Sequence, residues 1–160
     1  MYCGIDPSLT GTGVVVLDVA CNILEQRLIS TKPYNNCDYS TEYRMKDITA
    51  ELTKILLLPS SYRVEFVCIE GLSFNSKGQS AAQLFGLAYY IRHWLLDNNF
   101  MYKEVPPTVL KKFVAGTGKC QKDLMLLKTY KKFGVEFSDH NLCDAYGLAR
   151  YGAELNRSNK

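Results

Sequence analysis

The sequence predicts an α/β domain in which helices cover both faces of a mixed β-sheet. Three short apolar segments open the chain and indicate an antiparallel meander, whereas the later predicted strands alternate with amphipathic helices. A chain of 160 residues can bury one sizeable core. We therefore expect a single domain over residues 1–156 and a flexible tail at 157–160.

The predicted strands are short apolar segments bounded by turn residues. The first three lie at residues 2–5, 13–17 and 22–30, and the turn between the first two is rich in Gly and Thr. A β-branched run at 64–69 indicates a buried strand that ends at Glu70. A last strand at 101–105 is closed by two prolines.

Apolar residues at helical spacing predict the helices, which we place at 41–58, 79–97, 121–133 and 141–156, with a short one around Lys111 and Lys112. The helix at 79–97 carries two apolar stripes. One stripe covers the sheet. The other requires a second partner, which is either another copy in a homodimer or another part of the same chain.

Composition excludes several classes of protein. Hydrophobic residues make up 47% and charged residues 22% of the chain, which is typical of a globular protein in water. The longest apolar runs are too short to span a bilayer, and no secretory signal is recognisable, so we expect no membrane association. Six cysteines without C-x-x-C spacing indicate free thiols in an intracellular protein rather than a zinc site.

Positive charge is concentrated in one segment. Residues 101–132 hold eight lysines against two acids, a local charge of +6 in a chain whose net charge is +3. Such a segment either contacts a phosphate backbone or forms a solvated lysine-rich helix face.

Three acids occupy positions where burial is expected. Asp6 closes the first strand, Glu70 closes a later one, and Asp144 lies on the inward side of the last helix. Each acid also has a purely structural explanation. Asp6 could cap a turn, Glu70 could accept a hydrogen bond from a loop amide, and Asp144 could be an acid in the first turn of a helix. Together they indicate a cluster whose mutual repulsion a divalent cation relieves, and oxygen ligands favour Mg²⁺ or Mn²⁺.

Four stretches carry a resemblance to a known family: GIDPSLTGTGVVVLD, VCIEG, VLKKFVAGTGKCQKDLM and NLCDAYGLA. In this order and spacing the chain resembles the RuvC family of Holliday-junction resolvases, within the RNase H-like superfamily. The resemblance implies a mixed five-stranded sheet flanked by helices. It also implies a homodimer that cuts opposed strands of a four-way DNA junction with Mg²⁺ or Mn²⁺, two ions per site, leaving 5′-phosphate ends.

The resemblance also implies roles for individual residues. Asp6, Glu70 and Asp144 match three metal ligands of the family. Asn141 stands where many members carry Asp or His, and it can offer an uncharged oxygen to a hard cation. Its neighbours His140 and Asp139 are the other candidates for the fourth ligand.

The lysine-rich segment and the residues after Glu70 are expected to contact DNA. Lys111 and Lys122 match lysines of the family, and Lys119 lies in the AGTGK turn between them. Lys77 and Phe74 are further candidates. Phe74 stands one position beyond the aromatic residue of the family, where this chain has Ser73.

Three other functions remain open from the sequence. The chain could bind branched DNA without cutting it, or act as a different nuclease of the superfamily on hybrids or flaps. DPSLTGTG also resembles the phosphate loop of actin-like ATPases, although 160 residues leave no room for their second domain. Bacterial and phage origins both fit, the compact chain favours phage slightly, and no helicase partner is indicated.

Overall fold

The fold is a five-stranded mixed sheet with helices on both faces, seen in a computed structural model that describes residues 1–58, 61–72 and 78–158. The strands are β1 (Tyr2–Asp6), β2 (Thr12–Leu17), β3 (Ile23–Ile29), β4 (Phe66–Glu70) and β5 (Met101–Val105). The helices are α1 (Ser40–Leu56), α2 (Gln79–Asp97), α3 (Pro107–Ala115), α4 (Lys122–Phe133) and α5 (His140–Ser158).

The order of strands across the sheet is β3-β2-β1-β4-β5. β1, β2 and β3 form the predicted antiparallel meander, and β4 and β5 join β1 as parallel neighbours. β1 therefore lies at the centre of the sheet. The mixed sheet predicted from the sequence is confirmed.

Alternation along the strands divides the core into two sides. Ile5 and Val14 face α1 and α2, where Leu52 and Ile91 complete an apolar layer. The opposite face of the sheet packs on α5 and, near β4 and β5, on α3 and α4. No helix in the described ranges is long and apolar enough to cross a bilayer.

Most predicted elements differ from the observed ones by only one or two residues. The tail predicted at 157–160 overlaps α5, which continues to Ser158. Arg157 donates from Nη2 to the carbonyl oxygen of Val19 at 2.9 Å, and this contact holds the end of the helix to the β2–β3 turn.

The outer face of α2 stays exposed in the single chain. Tyr89 is 64% exposed, Tyr90 is 41% exposed and Leu96 is 60% exposed. The second stripe predicted from the sequence consists of Leu87, Tyr90 and Trp94, and of these Leu87 is fully buried beside Ile91. Among the described residues, no second layer of the chain covers the exposed stripe.

Two glycines let α5 lie directly on the sheet. A methyl group added to Gly4 in β1 would stand 1.9 Å from the carbonyl oxygen of Ala145, and one added to Gly13 in β2 would stand 2.2 Å from that of Asn141. Both distances are far inside van der Waals contact, and both obstacles are backbone atoms. The first half of α5 therefore depends on these glycines for its position.

We expect Gly4→Ala to destabilise the fold by about 3 kcal/mol or more, because the helix backbone must move to admit the methyl group. Chemical denaturation measures the loss. Gly86→Ala is the matched control, because its added methyl meets only the flexible end of Met45, at 3.1 Å. Equal stabilities of the two variants would contradict the close approach of α5.

Candidate active site

Asp6 and Glu70 end neighbouring parallel strands. The pairing of β1 with β4 aligns Ile5 with Ile69, so the next residue on each strand is one of these acids. Because side chains alternate along a strand, both carboxyl groups project to the face covered by α5. The sheet thus places two acids side by side at the same edge.

The third acid, Asp144, comes from the first turns of α5. Asp139 fixes the start of this helix, since its Oδ1 accepts from the backbone nitrogens of Asn141 at 2.9 Å and Leu142 at 3.0 Å. This is an N-cap arrangement. With its start capped and its backbone pressed onto Gly4, α5 delivers Asp144 over the ends of β1 and β4.

The three acids line one cavity of about 300 Å³. Lys111 from α3 and Lys122 from α4 line the same cavity. The remaining wall is formed by Pro7, Ser8, Leu84, Pro107, Met125 and Asn141. The structure therefore brings together the three predicted acids, Asn141 and two of the predicted lysines.

Burial and mutual repulsion perturb the acids strongly. Asp6 is 7% exposed, and its burial raises its pKa well above the ordinary range. The charges of Glu70 and Asp144 raise the pKa further, and Lys122 lowers it. Hydrogen bonding with Glu70 also raises the pKa of Asp6 and lowers that of Glu70, as expected if Asp6 keeps the proton.

The other two acids shift in the same direction. Burial raises the pKa of Glu70 from 4.5 to about 7, while its hydrogen bond with Asp6 and the two lysines of the cavity oppose the rise. Burial likewise raises the pKa of Asp144, against the charges of Lys122 and Lys111. The lysines therefore compensate part of the negative charge.

The donor set fits a hard divalent cation. The acids of the cavity offer only carboxylate oxygens, which Mg²⁺ and Mn²⁺ prefer and zinc does not require. In the described part of the chain, no three His, Cys, Asp or Glu side chains are already arranged to hold an ion. Since the neighbouring carboxyl groups of Asp6 and Glu70 both have raised pKa values, a bound cation would compete with protons for them.

The candidates for a fourth ligand differ in their surroundings. Asn141 donates from Nδ2 to the carbonyl oxygen of Gly11 at 2.7 Å, so its amide is anchored to the β1–β2 turn. His140 lies with Nε2 at 3.5 Å from Oδ1 of Asp123, and it lowers the pKa of Asp144. Asp139 is engaged as the helix cap.

Of the other predicted DNA contacts, one lies away from the cavity and two lie outside the residues that the structure describes. Lys119 is exposed in the turn between α3 and α4 and does not line the cavity. Phe74 and Lys77 fall outside the described residues.

Arg44 was not among the site residues predicted from the sequence. This residue is 7% exposed and lies on α1 among apolar residues that face the sheet. Its guanidinium contacts the β1–β2 turn, with Nη2 at 2.8 Å from the carbonyl oxygen of Leu9. An arginine next to Met45 on the buried stripe of an amphipathic helix was the available signal.

We expect the stability of the metal-free protein to fall as pH rises from 4.5 to about 7. The folded-state pKa of Glu70 is raised, so the stability it contributes is fully present below pH 4.5 and is lost as pH passes about 7. The loss is on the order of 3 kcal/mol. Glu70→Gln should remove most of this dependence, as measured by urea unfolding in EDTA at pH 5 and pH 8.

The exposed Glu136 provides the control for this measurement, since Glu136→Gln removes one carboxylate without touching the cavity. A Glu70→Gln variant with the pH dependence of wild type would show that Glu70 is not held in a high-pKa environment.

Comparisons with known proteins show what the whole chain is similar to. No family model matches the chain. A curated relative, the crossover junction endodeoxyribonuclease RuvC of Brachyspira hyodysenteriae, is 26% identical over 157 residues, covering 96% of this chain and 94% of that protein.

Solved structures extend the likeness to the fold. RuvC of Thermus thermophilus matches with a TM-score of 0.74 and 21% identity, covering 98% of this chain and 95% of that one. The same protein in complex with a Holliday junction substrate gives a TM-score of 0.77 at 22% identity, with 98% and 94% covered. The Fowlpox virus resolvase, solved with Holliday junction DNA, gives 0.50 at 15% identity, with 97% and 99% covered.

These matches extend over nearly the whole chain, in sequence and in fold. The five-stranded mixed sheet and its five helices match the RNase H-like fold of RuvC. The chain is thus similar to RuvC in sequence and shares its fold.

Proposed function

We propose that this chain is a metal-dependent endonuclease that resolves Holliday junctions and acts inside the cell. The observation that carries the proposal is the cavity in which Asp6, Glu70 and Asp144 lie together with two lysines. Its RuvC relative bears the name of a crossover junction endodeoxyribonuclease, and one structural match was solved with a Holliday junction substrate.

The three acids would hold the catalytic cations, with the carbonyl oxygen of Asn141 as an uncharged addition. When bound, Mg²⁺ or Mn²⁺ supplies a water of lowered pKa and neutralises charge on the phosphate and on the leaving oxygen. We propose two ions per site. The carboxylates of this cluster are a poor environment for a phosphate by themselves, because like charges repel.

Lys111 and Lys122 would orient the phosphate of the cut strand. Both line the cavity from α3 and α4, whereas Asp6 and Glu70 line it from the sheet, so a phosphate in the cavity would meet the charges of both lysines. Lysine binds phosphate as a point charge and leaves the backbone free to adjust. Lys119, exposed nearby, would contribute to binding at longer range.

We further propose that the protein acts as a homodimer through the exposed face of α2. A stripe of large apolar side chains without cover is typical of an interface between subunits. Tyr89, Tyr90 and Leu96 form such a surface here. A dimer would present two cavities, as paired cleavage of opposed strands requires.

A branched-DNA-binding module without cleavage is the second candidate. The observation that favours it is Asn141, whose amide is committed to Gly11 and brings no fourth negative charge to the cavity. Metal-dependent nicking separates the two candidates.

We expect wild-type protein to make paired symmetric nicks in a labelled four-way junction with Mg²⁺ or Mn²⁺, and none in EDTA or in linear duplex. Asp6→Asn should reduce the cleavage rate at least a thousandfold while leaving junction affinity unchanged or higher, because one metal ligand and one negative charge are removed. Gel analysis of both products and of binding measures the two effects.

Asp38→Asn is the matched control, since Asp38 is exposed in the segment before α1 and does not line the acidic cavity. Cleavage by Asp6→Asn at the control rate would reject the assignment of the metal site. Tight binding without nicks by wild type in either metal would favour the non-cleaving module.

A further inference from the structure

A second cavity adjoins the acidic one. It has a volume of about 270 Å³, and it shares Ser8 and Leu84 with the acidic cavity. Its other polar residues are Thr10, Arg44, Ser80 and Gln83. The two cavities are therefore neighbours along the β1–β2 turn and the first turns of α2.

Among the described residues that line this second cavity, Arg44 alone is charged, and its guanidinium is held firmly. Nε donates to the hydroxyl of Thr31 at 2.9 Å. Nη2 donates to the carbonyl oxygens of Leu9 at 2.8 Å and Thr31 at 3.4 Å. The hydroxyl of Thr31 in turn donates to the carbonyl oxygen of Leu9. These bonds fix the plane of the guanidinium.

The positive charge of Arg44 has no counterion in the described part of the chain. No carboxylate forms an ion pair with it. Its remaining nitrogen, Nη1, donates to no described protein atom, and the residue lines the second cavity. A cation in a residue that is 7% exposed is costly unless an anion compensates it.

The rest of the cavity suits phosphate oxygens. Hydroxyl groups of Ser8, Thr10 and Ser80 and the amide of Gln83 can donate hydrogen bonds. The turn that carries Ser8 is closed on itself, because the hydroxyl of Thr12 accepts from the backbone nitrogen of Ser8 at 3.1 Å and donates to its carbonyl oxygen at 2.7 Å. The donors are thus set before a ligand arrives.

We propose that this cavity is a phosphate subsite, in which Nη1 of Arg44 binds a backbone phosphate of the cleaved strand next to the scissile one. The identification of the ligand as DNA rests on the proposed function. The shared residues Ser8 and Leu84 make the path from one cavity to the other short enough for one strand to occupy both. Arginine in a fixed plane matches the geometry of a phosphate group.

The test uses Gln83→Glu, which adds a negative charge to the cavity that Arg44 lines. The contact with Thr41 can be kept. Gln83 now donates from Nε2 to the Thr41 hydroxyl at 3.2 Å, and a carboxylate at this position would accept from the same hydroxyl. Gln26→Glu, exposed on β3, adds the same charge away from both cavities. Arg44→Gln is measured as well, and Gln83→Glu decides the outcome if that variant fails to fold.

Affinity for a four-way junction is measured in EDTA over a series of salt concentrations. We expect Gln83→Glu to weaken binding about tenfold relative to Gln26→Glu, as for the loss of a hydrogen bond to a charged group. The slope of log affinity against log salt should become shallower by about 0.7 to 0.9, as for the loss of one phosphate contact. A second arm compares melting temperatures in inorganic phosphate and in chloride at equal ionic strength. Phosphate should raise the melting temperature of wild type and of Gln26→Glu, but not that of Gln83→Glu.

Equal affinity and slope for Gln83→Glu and Gln26→Glu would overturn the subsite, whether or not the protein cuts DNA. Stabilisation by inorganic phosphate without any change in slope would also overturn it, because the cavity would then take free phosphate only. Failure of the nuclease proposal has a different signature. Wild type would then cut no junction in either metal, while the altered slope of Gln83→Glu would still support the subsite.

Discussion

The contact of α5 with the centre of the sheet is the constraint on which the site depends. Gly4 and Gly13 remove the side chains that would otherwise separate the helix from β1 and β2, and the helix backbone occupies that space. Asp144 is carried by this helix, whereas Asp6 and Glu70 are carried by the sheet. The distance between the two layers therefore sets whether the third acid reaches the other two.

This packing works against the electrostatics of the cluster. Burial raises the pKa of all three acids, and like charges raise those of Asp6 and Glu70 further, so an isolated cluster of this kind would favour separation or protonation. The surrounding apolar layers keep the carboxyl groups together, and Lys111 and Lys122 supply partial compensation. A site that is costly in the absence of its ligand is a common feature of catalytic centres. The cost also explains why the donor set suits a divalent cation, which would remove the repulsion.

The sequence carried much of this arrangement but not all of it. Asp6 and Glu70 were predictable as buried strand-end acids because each follows an apolar run that must be a buried strand. The anchoring of Asn141 to Gly11 was not predictable, because its partner lies 130 positions away and only the folded chain brings the two together. The same holds for Arg44, whose bond to Leu9 spans 35 positions. Local patterns define elements and their buried faces, whereas single polar contacts between distant segments depend on tertiary packing.

The turn between β1 and β2 illustrates what these distant contacts achieve. Asn141 binds the carbonyl oxygen of Gly11 from one side of the sheet, and Arg44 binds that of Leu9 from the other. A turn that is rich in Gly, Ser and Thr would be mobile by composition alone, and clamping two of its carbonyl groups removes much of that freedom. The clamp also directs those carbonyl groups into protein contacts, so that their partial negative charge is compensated. An aspartate at 141 would accept rather than donate, and it would meet the carbonyl oxygen of Gly11 with a like partial charge. The uncharged amide at this position is thus consistent with a structural requirement of the turn, and the charge that acts on the ligand is left to Asp6, Glu70 and Asp144.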